Sequence, residues 1–353
     1  MMKPILLSIS LLCLHFFAIA QIDFQNPSPA AFMHPKCMEM DHAILNNDYS
    51  IIHSVLIVEK GKLVFEKYYN GWKKDSLHQL QSATKSVVAT LLGCALNNGY
   101  IHSVDEPISK HYDIASFEDS LKNKITIKDL ITQRHGLSWK EGDWNDPNNS
   151  WRKIISNPGN WYESVLQTPM DTSPGLIFNY SNAAPLLISG IIQMASQMSI
   201  DSFAKKYLFE PLDIQNYWFW PGNGGPQNNG MALISLNSRD MAKIGQLYLQ
   251  SGRWNGVQLL SNDFVKHAVH PHVKNVEPNG FYKSYDYGYF WWSHPVLRTD
   301  ENNRTQKIFL ARGAGGQNII VWPERDIVVV ITAWNLQRSN LSQTLFDNYI
   351  SKM

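Results

Sequence analysis

The tetrapeptide Ser82-Ala83-Thr84-Lys85 sets a hydroxyl and an amine three residues apart. On a helix, which rises about 1.5 Å per residue, the two stand roughly one turn apart on one face. A serine hydroxyl is a poor nucleophile until a nearby base takes its proton. A lysine serves as that base only when its pKa is lowered; burial lowers it, and so does the partial positive charge of a helix N-terminus. The residues that follow, Ser86-Val87-Val88-Ala89-Thr90-Leu91-Leu92, are apolar on nearly every side. Such a helix is expected to be buried, with its first turn open on a cleft. The same spacing recurs at Ser150–Lys153 and Ser202–Lys205. The former lies in a polar, tryptophan-rich loop, and the latter opens an amphipathic helix whose lysines should face water. Local context therefore favours Ser82.

"SPGLIFNYSNAAPLL" supplies a second pair, Tyr180 and Asn182. In an extended chain residues i and i+2 point the same way, so both can face a cleft while Ser181 turns aside. A phenol beside Lys85 can act as base for Ser82 or as acid for a leaving group. The Asn182 amide can hold Lys85 and a substrate carbonyl. Read alone, the pair is equally a loop tyrosine with a capping asparagine, and Tyr68-Tyr69-Asn70 repeats the pattern on a strand. A third stretch, "ARGAGGQNIIVWPERDIVVVIT", places Gly313, Gly315 and Gly316 next to a strand. Glycines there allow close approach of backbone to a ligand, or make a bulge or tight turn. Backbone N–H groups at this point could meet a developing oxyanion together with the N–H of Ser82.

The elements that must position these residues divide along the chain. "SIIHSVLIVEKGKLVFEKYYNG" predicts two strands around a turn at Glu59-Lys60-Gly61-Lys62. "QKIFLARG", "GQNIIVWP" and "DIVVVITAW" predict three more near the other end, followed by a closing helix from Asn340 to Met353. Between Ser82 and about Gly252 the patterns are mostly helical: "SATKSVVATLLGCALNNG", "TIKDLITQ", "NAAPLLISGIIQMAS", "IDSFAKKYLF" and "SRDMAKIGQLYLQSG". The first ends on Asn98-Gly99, a helix stop. The expected fold is α/β in the α+β sense. One antiparallel sheet is built from both chain ends and flanked by helices, with an inserted, mostly helical subdomain. Its boundaries are expected near 21–82 and 255–353 for the sheet part and near 83–254 for the helical part. A cleft between them would form the site.

Bulk properties narrow the function. The chain has 353 residues, 44% of them hydrophobic, and a formal net charge of +1. That is a globular composition with no reason to expect a nucleic-acid partner. "MMKPILLSISLLCLHFFAIAQ" has a lysine, an apolar stretch and a small-x-small ending at Ala18-Ile19-Ala20. It reads as a signal peptide over residues 1–20, cleaved before Gln21, which implies a periplasmic or secreted protein without a stable membrane anchor. Leu11 and Leu12 before Cys13 do not suit a lipoprotein signal. Cys37 and Cys94 remain; they could pair in an oxidising compartment, but Cys94 lies in an apolar run where a buried thiol is expected. "HAVHPH" carries His267, His270 and His272 but also a proline and no evident further ligand, so no metal or other cofactor is expected.

Together, in this order, the motifs resemble those of the serine β-lactamase-related hydrolases. The closest likeness is to the branch with class C β-lactamases, D-alanyl-D-alanine carboxypeptidases, certain esterases and 6-aminohexanoate-dimer hydrolases. "SATK", "YSN", "ITIKDLITQRHGL", "RDMAKIGQLYLQSGRWNGVQLLS", "YGYFWW" and "GAGGQNIIVWPERDIVVVIT" carry the resemblance over nearly the whole mature chain. It implies a single β-lactamase/transpeptidase-like catalytic unit over 21–353 that works through an acyl-enzyme. In that reading Ser82 is the nucleophile, Lys85 its partner, and Tyr180 and Asn182 the acid/base motif. The oxyanion hole is the N–H of Ser82 with that of Ala314. Class A enzymes differ, with Ser-Asp-Asn in place of the tyrosine motif.

The third motif departs from the pattern. Lysine or histidine commonly opens it and helps bind a substrate carboxylate, whereas this chain has Ala311-Arg312-Gly313. Arg312 should point to the opposite strand face from its neighbours and away from Ser82. An ester or amide hydrolase is therefore ranked above a β-lactamase or D-alanyl-D-alanine carboxypeptidase. The substrate would be a small ester, amide or peptide. The alternative of another class is a non-catalytic, penicillin-binding-like protein. Trp139, Trp144, Trp151 and Trp161 crowd one irregular stretch. Trp144 and Trp161 are candidate walls of an apolar substrate pocket, with Gly313, Gly315 and Gly316 as its backbone side; the competing reading is that the tryptophans pin long loops to the body.

Overall fold

The computed structural model describes residues 22–25, 34–114, 119–220, 234–276, 285–299 and 305–353. The expected leader at 1–20 lies outside the described residues. The strands in chain order are β1 (Ile52–Glu59), β2 (Lys62–Tyr68), β3 (His78–Gln79), β4 (Tyr217–Phe219), β5 (Ile234–Leu236), β6 (Arg253–Trp254) and β7 (Val257–Gln258). They continue with β8 (Val273–Val276), β9 (Tyr285–Tyr287), β10 (Trp292–Thr299), β11 (Thr305–Gly313), β12 (Gln317–Trp322) and β13 (Ile327–Ala333). The helices used below are α1 (Pro35–Leu45), α2 (Thr84–Asn97), α3 (Ile127–Ile131), α6 (Ala183–Ser196), α8 (Ser238–Leu249), α9 (Asn262–Val269) and α10 (Leu341–Asn348); α4 (Ser150–Ile155), α5 (Trp161–Leu166) and α7 (Ile200–Ala204) are short.

One antiparallel sheet runs in the order β2-β1-β13-β12-β11-β10-β9-β8. The two chain ends meet one strand in from its β2 edge, where Val55 pairs with Ile331 and Ile57 with Val329. The β1–β2 turn has positive φ at Lys60 (51°) and Gly61 (71°). That is the twist a two-residue hairpin loop needs. β12 and β13 are buried along their whole length. Successive side chains must therefore be covered on both faces. α8 covers one face: a Cβ on Gly245 would fall 2.6 Å from Val328 Cγ1, so only glycine lets the helix this close. On the other face Trp322 meets Phe346 of α10 at 5.9 Å.

The middle of the chain packs α2 and α3 against α6. α2 is buried from Thr84 to Ala95, as its all-round apolar pattern requires. It stops at Asn98 and at Gly99, whose φ is +74°. α3 is fixed by a capping box between Thr126 and Asp129. The stretch "IDSFAKKYLF" is not one helix: α7 gives way to a π turn over Lys205–Phe209. A small sheet in the order β3-β5-β4 was not evident from sequence. Strands of two or three residues are too short to show a period, yet this sheet places the site, because Leu80 N–H donates to the Ile234 carbonyl at 2.9 Å, two residues before Ser82.

Cys37 and Cys94 are both free and buried. Among the described residues no single helix is long and apolar enough to cross a membrane.

Candidate active site

Ser82 lies in a short 3-10 turn, Gln81–Ala83, that leads straight into α2. Gln81, just before it, holds φ at 51°, an uncommon conformation for a residue with a Cβ. The turn reverses the chain from β3 and leaves Ser82 half-buried, while Lys85, one turn further, is buried. Lys85 Nζ donates to Ser82 Oγ at 3.2 Å and to Asn182 Oδ1 at 2.5 Å. It also lies 4.6 Å from the centroid of the Tyr180 ring. All of the side chains expected to do chemistry thus meet on one ammonium group.

The Tyr180–Asn182 tripeptide is held from behind. Ser181 is fully buried and turns away from Lys85. Its N–H and Oγ both donate to Gln133 Oε1 at 3.0 Å, and Gln133 Nε2 donates to the Ser181 carbonyl at 3.0 Å. His135 Nε2 lies 2.9 Å from Ser181 Oγ, and its Nδ1 accepts from Leu137 N–H at 3.1 Å. That network assigns the proton to Nε2. Burial pushes the His135 pKa down to about 4, so the ring is neutral near pH 7. This second serine–histidine pair is a structural lock: both residues have no exposure, and each polar atom in it is satisfied.

Glu141 completes the group and was missed by the sequence reading. Its Oε2 accepts from Trp139 Nε1 at 2.7 Å and from Asn182 N–H at 2.8 Å. Its Oε1 accepts from Asn182 Nδ2. Burial raises its pKa above the usual carboxylate range, while Lys85 and the Trp139 and Asn182 N–H groups pull it back down. The only sequence signal was an acid in the loop without periodicity that follows "TIKDLITQ".

Tyr180 stands in an aromatic wall. Its ring centroid is 5.6 Å from Trp292 and 6.3 Å from Tyr287, and Phe178 meets Tyr287 at 5.2 Å. Trp292 and Tyr287 belong to "YGYFWW", whose role beside Tyr180 no spacing rule announces.

The glycine strand lies beside the serine turn. A Cβ on Gly313 would sit 2.1 Å from the Leu80 carbonyl oxygen, so β11 touches the turn that carries Ser82. Gly315 and Gly316 have φ of 79° and 100°. Their N–H groups donate to Ser339 Oγ and to the Gly313 carbonyl. They shape the turn. The N–H groups of Ser82 and Ala314 make no hydrogen bond among the described residues, and Ala314 is exposed. Ala311 is fully buried, and the Arg312 guanidinium lies 4.6 Å from the Tyr285 ring centroid.

The remaining candidates lie elsewhere. Trp161 is a core residue with no exposure; it packs at 5.9 Å against Trp151 and donates from Nε1 to the Asn157 carbonyl. The structure therefore corrects the expectation that Trp161 lines a substrate pocket, because an indole with a full set of interior neighbours presents no surface to a ligand. Trp144 is 53% exposed. Lys153 and Lys205 are exposed, which leaves the other two Ser-x-x-Lys copies on the surface. Tyr68 donates to Glu66 Oε1 and Asn70 Nδ2 to the Ile52 carbonyl, so the second Tyr-x-Asn copy is occupied in packing. His267 Nδ1 and His272 Nε2 lie 2.8 and 2.9 Å from backbone carbonyl oxygens. Among the described residues no group of His, Cys, Asp and Glu could hold a metal ion.

The family model named Beta-lactamase matches residues 53–343. The chain belongs to the Beta-lactamase family. Within this family it is related to the 6-aminohexanoate-dimer hydrolase of Paenarthrobacter ureafaciens, with 22% identity over 302 residues, 79% of this chain and 72% of the relative. A protein of Escherichia coli K12, provisionally named a D-alanyl-D-alanine carboxypeptidase, is 24% identical over 244 residues, 61% of this chain and 55% of the relative. A solved structure from Bacillus anthracis, provisionally named a 6-aminohexanoate-dimer hydrolase, superposes with a TM-score of 0.68. That alignment has 19% identity and covers 88% of this chain and 80% of that one. The fold is therefore the mixed α/β, antiparallel-sheet fold of this family, as the sequence led us to expect, and the protein is a hydrolase of the family.

Proposed function

We propose that the protein is an exported serine hydrolase that cleaves an ester or amide through an acyl-enzyme on Ser82. The observation that carries this reading is the convergence on Lys85, whose Nζ meets Ser82 Oγ at 3.2 Å, Asn182 Oδ1 at 2.5 Å and the Tyr180 ring at 4.6 Å. In the reaction Ser82 Oγ attacks the substrate carbonyl carbon. Its proton passes to a deprotonated Tyr180 Oη, held beside the Lys85 ammonium, as the Oγ–C bond forms. The negative charge on the carbonyl oxygen is met by the N–H groups of Ser82 and Ala314. Tyr180 then returns the proton to the departing alcohol or amine as its bond to carbon breaks. Water releases the acyl group by the same steps in reverse roles.

The absence of a cation at Ala311 favours an ester or a linear amide over a substrate that needs its carboxylate held there. The relative from Paenarthrobacter is named a 6-aminohexanoate-dimer hydrolase, which supports an amide among the candidate substrates. The apolar stretch before Ala18-Ile19-Ala20 supports export with cleavage before Gln21.

A fluorophosphonate probe followed by intact-mass measurement tests the reading. The wild-type protein should gain one probe mass on Ser82 and Ser82→Ala none. Equal labelling of the two proteins, or no labelling of wild type, would overturn it. A panel of nitrophenyl esters, a chromogenic cephalosporin, D-Ala-D-Ala peptides and short linear amides then ranks the substrates. Turnover of the cephalosporin above every ester and linear amide would reverse the ranking.

A further inference from the structure

An asparagine side chain presents an acceptor on one side and two donors on the other, with almost the same shape. Which end faces an ammonium group decides whether the contact attracts or repels. At Asn182 the choice is made by Glu141. An ionised carboxylate only accepts. Its Oε2 is taken by two N–H donors, Trp139 Nε1 at 2.7 Å and Asn182 N–H at 2.8 Å. Its Oε1 faces the Asn182 side chain, and only the Nδ2 end can meet it. With Nδ2 committed, Oδ1 is turned to Lys85 Nζ.

We propose that Glu141 is a positioning residue for the reaction: it fixes the Asn182 amide with Oδ1 towards Lys85 and so holds the lysine against Ser82. The proposal rests on the reading of Ser82 as the nucleophile. The carboxylate is suited to the task for two further reasons. It sits at the N-terminal end of α6, where the helix dipole favours negative charge. It is also tied to the indole of Trp139, which is itself buried, so its direction is set by the core. Glutamine at 141 would bring an NH2 group against at least one of the three N–H donors. The relief open to it is to flip the Asn182 amide, which would aim Nδ2 at the Lys85 ammonium.

The test compares full-length wild type, E141Q, E141D, N182A and the E141Q/N182A double variant. Probe uptake on Ser82 gives the acylation rate, and the best ester of the panel gives kcat and KM. Glu141→Gln should slow acylation and kcat by roughly 10- to 100-fold, the scale of a lost charge-assisted hydrogen bond, with KM within about twofold. Glu141→Asp keeps both acceptors and should fall between wild type and E141Q, which also carries the comparison if E141Q is recovered unfolded. Because Glu141 acts through Asn182, adding E141Q to N182A should cost little more than N182A alone. Full acylation by E141Q, or the same loss in the N182A background as in wild type, would overturn the proposal. Wild-type protein that takes no probe would remove the serine reading itself, and the positioning role with it.

Discussion

At the scale of single residues, the legible part of the site is the part set by short covalent spacing. Ser82 and Lys85 share one turn of chain, and Tyr180 and Asn182 share one side of a bend, so residue type and interval proposed the pairs, and the resemblance of the combined motifs chose them over the copies at 68–70, 150–153 and 202–205. Glu141 meets Asn182 across 41 positions, and Trp292 meets Tyr180 across more than a hundred, through loops whose paths no period encodes. Gly313 shows how a single atom would disturb the arrangement. Its missing Cβ is replaced by the Leu80 carbonyl at 2.1 Å, a backbone atom that cannot swing aside. Gly313→Ala should push the serine turn off β11 and separate the Ser82 and Ala314 N–H groups. Loss of one oxyanion donor lowers kcat by about 100-fold or more, and that is the drop expected in steady-state ester hydrolysis. An alanine variant with wild-type kcat would show that the two segments need not touch.

At the scale of elements, β1, β2, β11, β12, β13 and the longer helices follow from their residue patterns, whereas β8, β9 and β10, which extend the same sheet, do not. Depth could not be read either. Trp144 and Trp161 occupy one irregular stretch and look alike in sequence. Trp161 opens α5 with its ring in the core, whereas Trp144 lies 53% exposed in the preceding loop. The difference comes from Trp151 and Trp220 closing over Trp161, contacts that depend on the fold of the whole region. The two tryptophans should separate experimentally. Trp161→Ala should lower the stability of the protein by about 3–5 kcal/mol in denaturant unfolding, as removal of a large buried ring does. Its acyl-chain preference per folded molecule should stay that of wild type. Trp144→Ala should leave stability within about 0.5 kcal/mol. If instead Trp161→Ala changes chain-length preference without a loss of stability, the indole faces substrate and the core assignment fails.

At the scale of the molecule, folding buries polar groups that composition alone would put on the surface, three histidines among them. His53 on β1 and His78 on β3 both stack on Trp72, at 4.0 and 4.4 Å between ring centroids, and lie 5.5 Å from each other, while His135 is sealed behind the Tyr180–Asn182 tripeptide. Burial lowers the pKa of His53 to about 4, of His78 to about 3 and of His135 to about 4. In the unfolded chain each would titrate near its ordinary value of about 6.5. Above that value all three are neutral in both states, and their burial carries no protonation penalty. As pH falls below about 6.5 the unfolded chain binds protons that the folded protein refuses, so stability drops continuously towards pH 4. Each unit of separation is worth about 1.4 kcal/mol, so three such rings together amount to several kcal/mol, a large share of a domain's stability. Thermal unfolding followed from pH 7.5 to pH 5 should therefore show a steady fall in Tm, with net proton uptake on unfolding at the acid end. Histidine ring resonances of the folded protein should divide over the same range. Those of His53, His78 and His135 should hold their neutral shifts down to pH 5. A Tm that stays level across this window, or a His135 ring that titrates within it, would mean that the folded state admits the proton and that the lock behind Asn182 opens in mild acid.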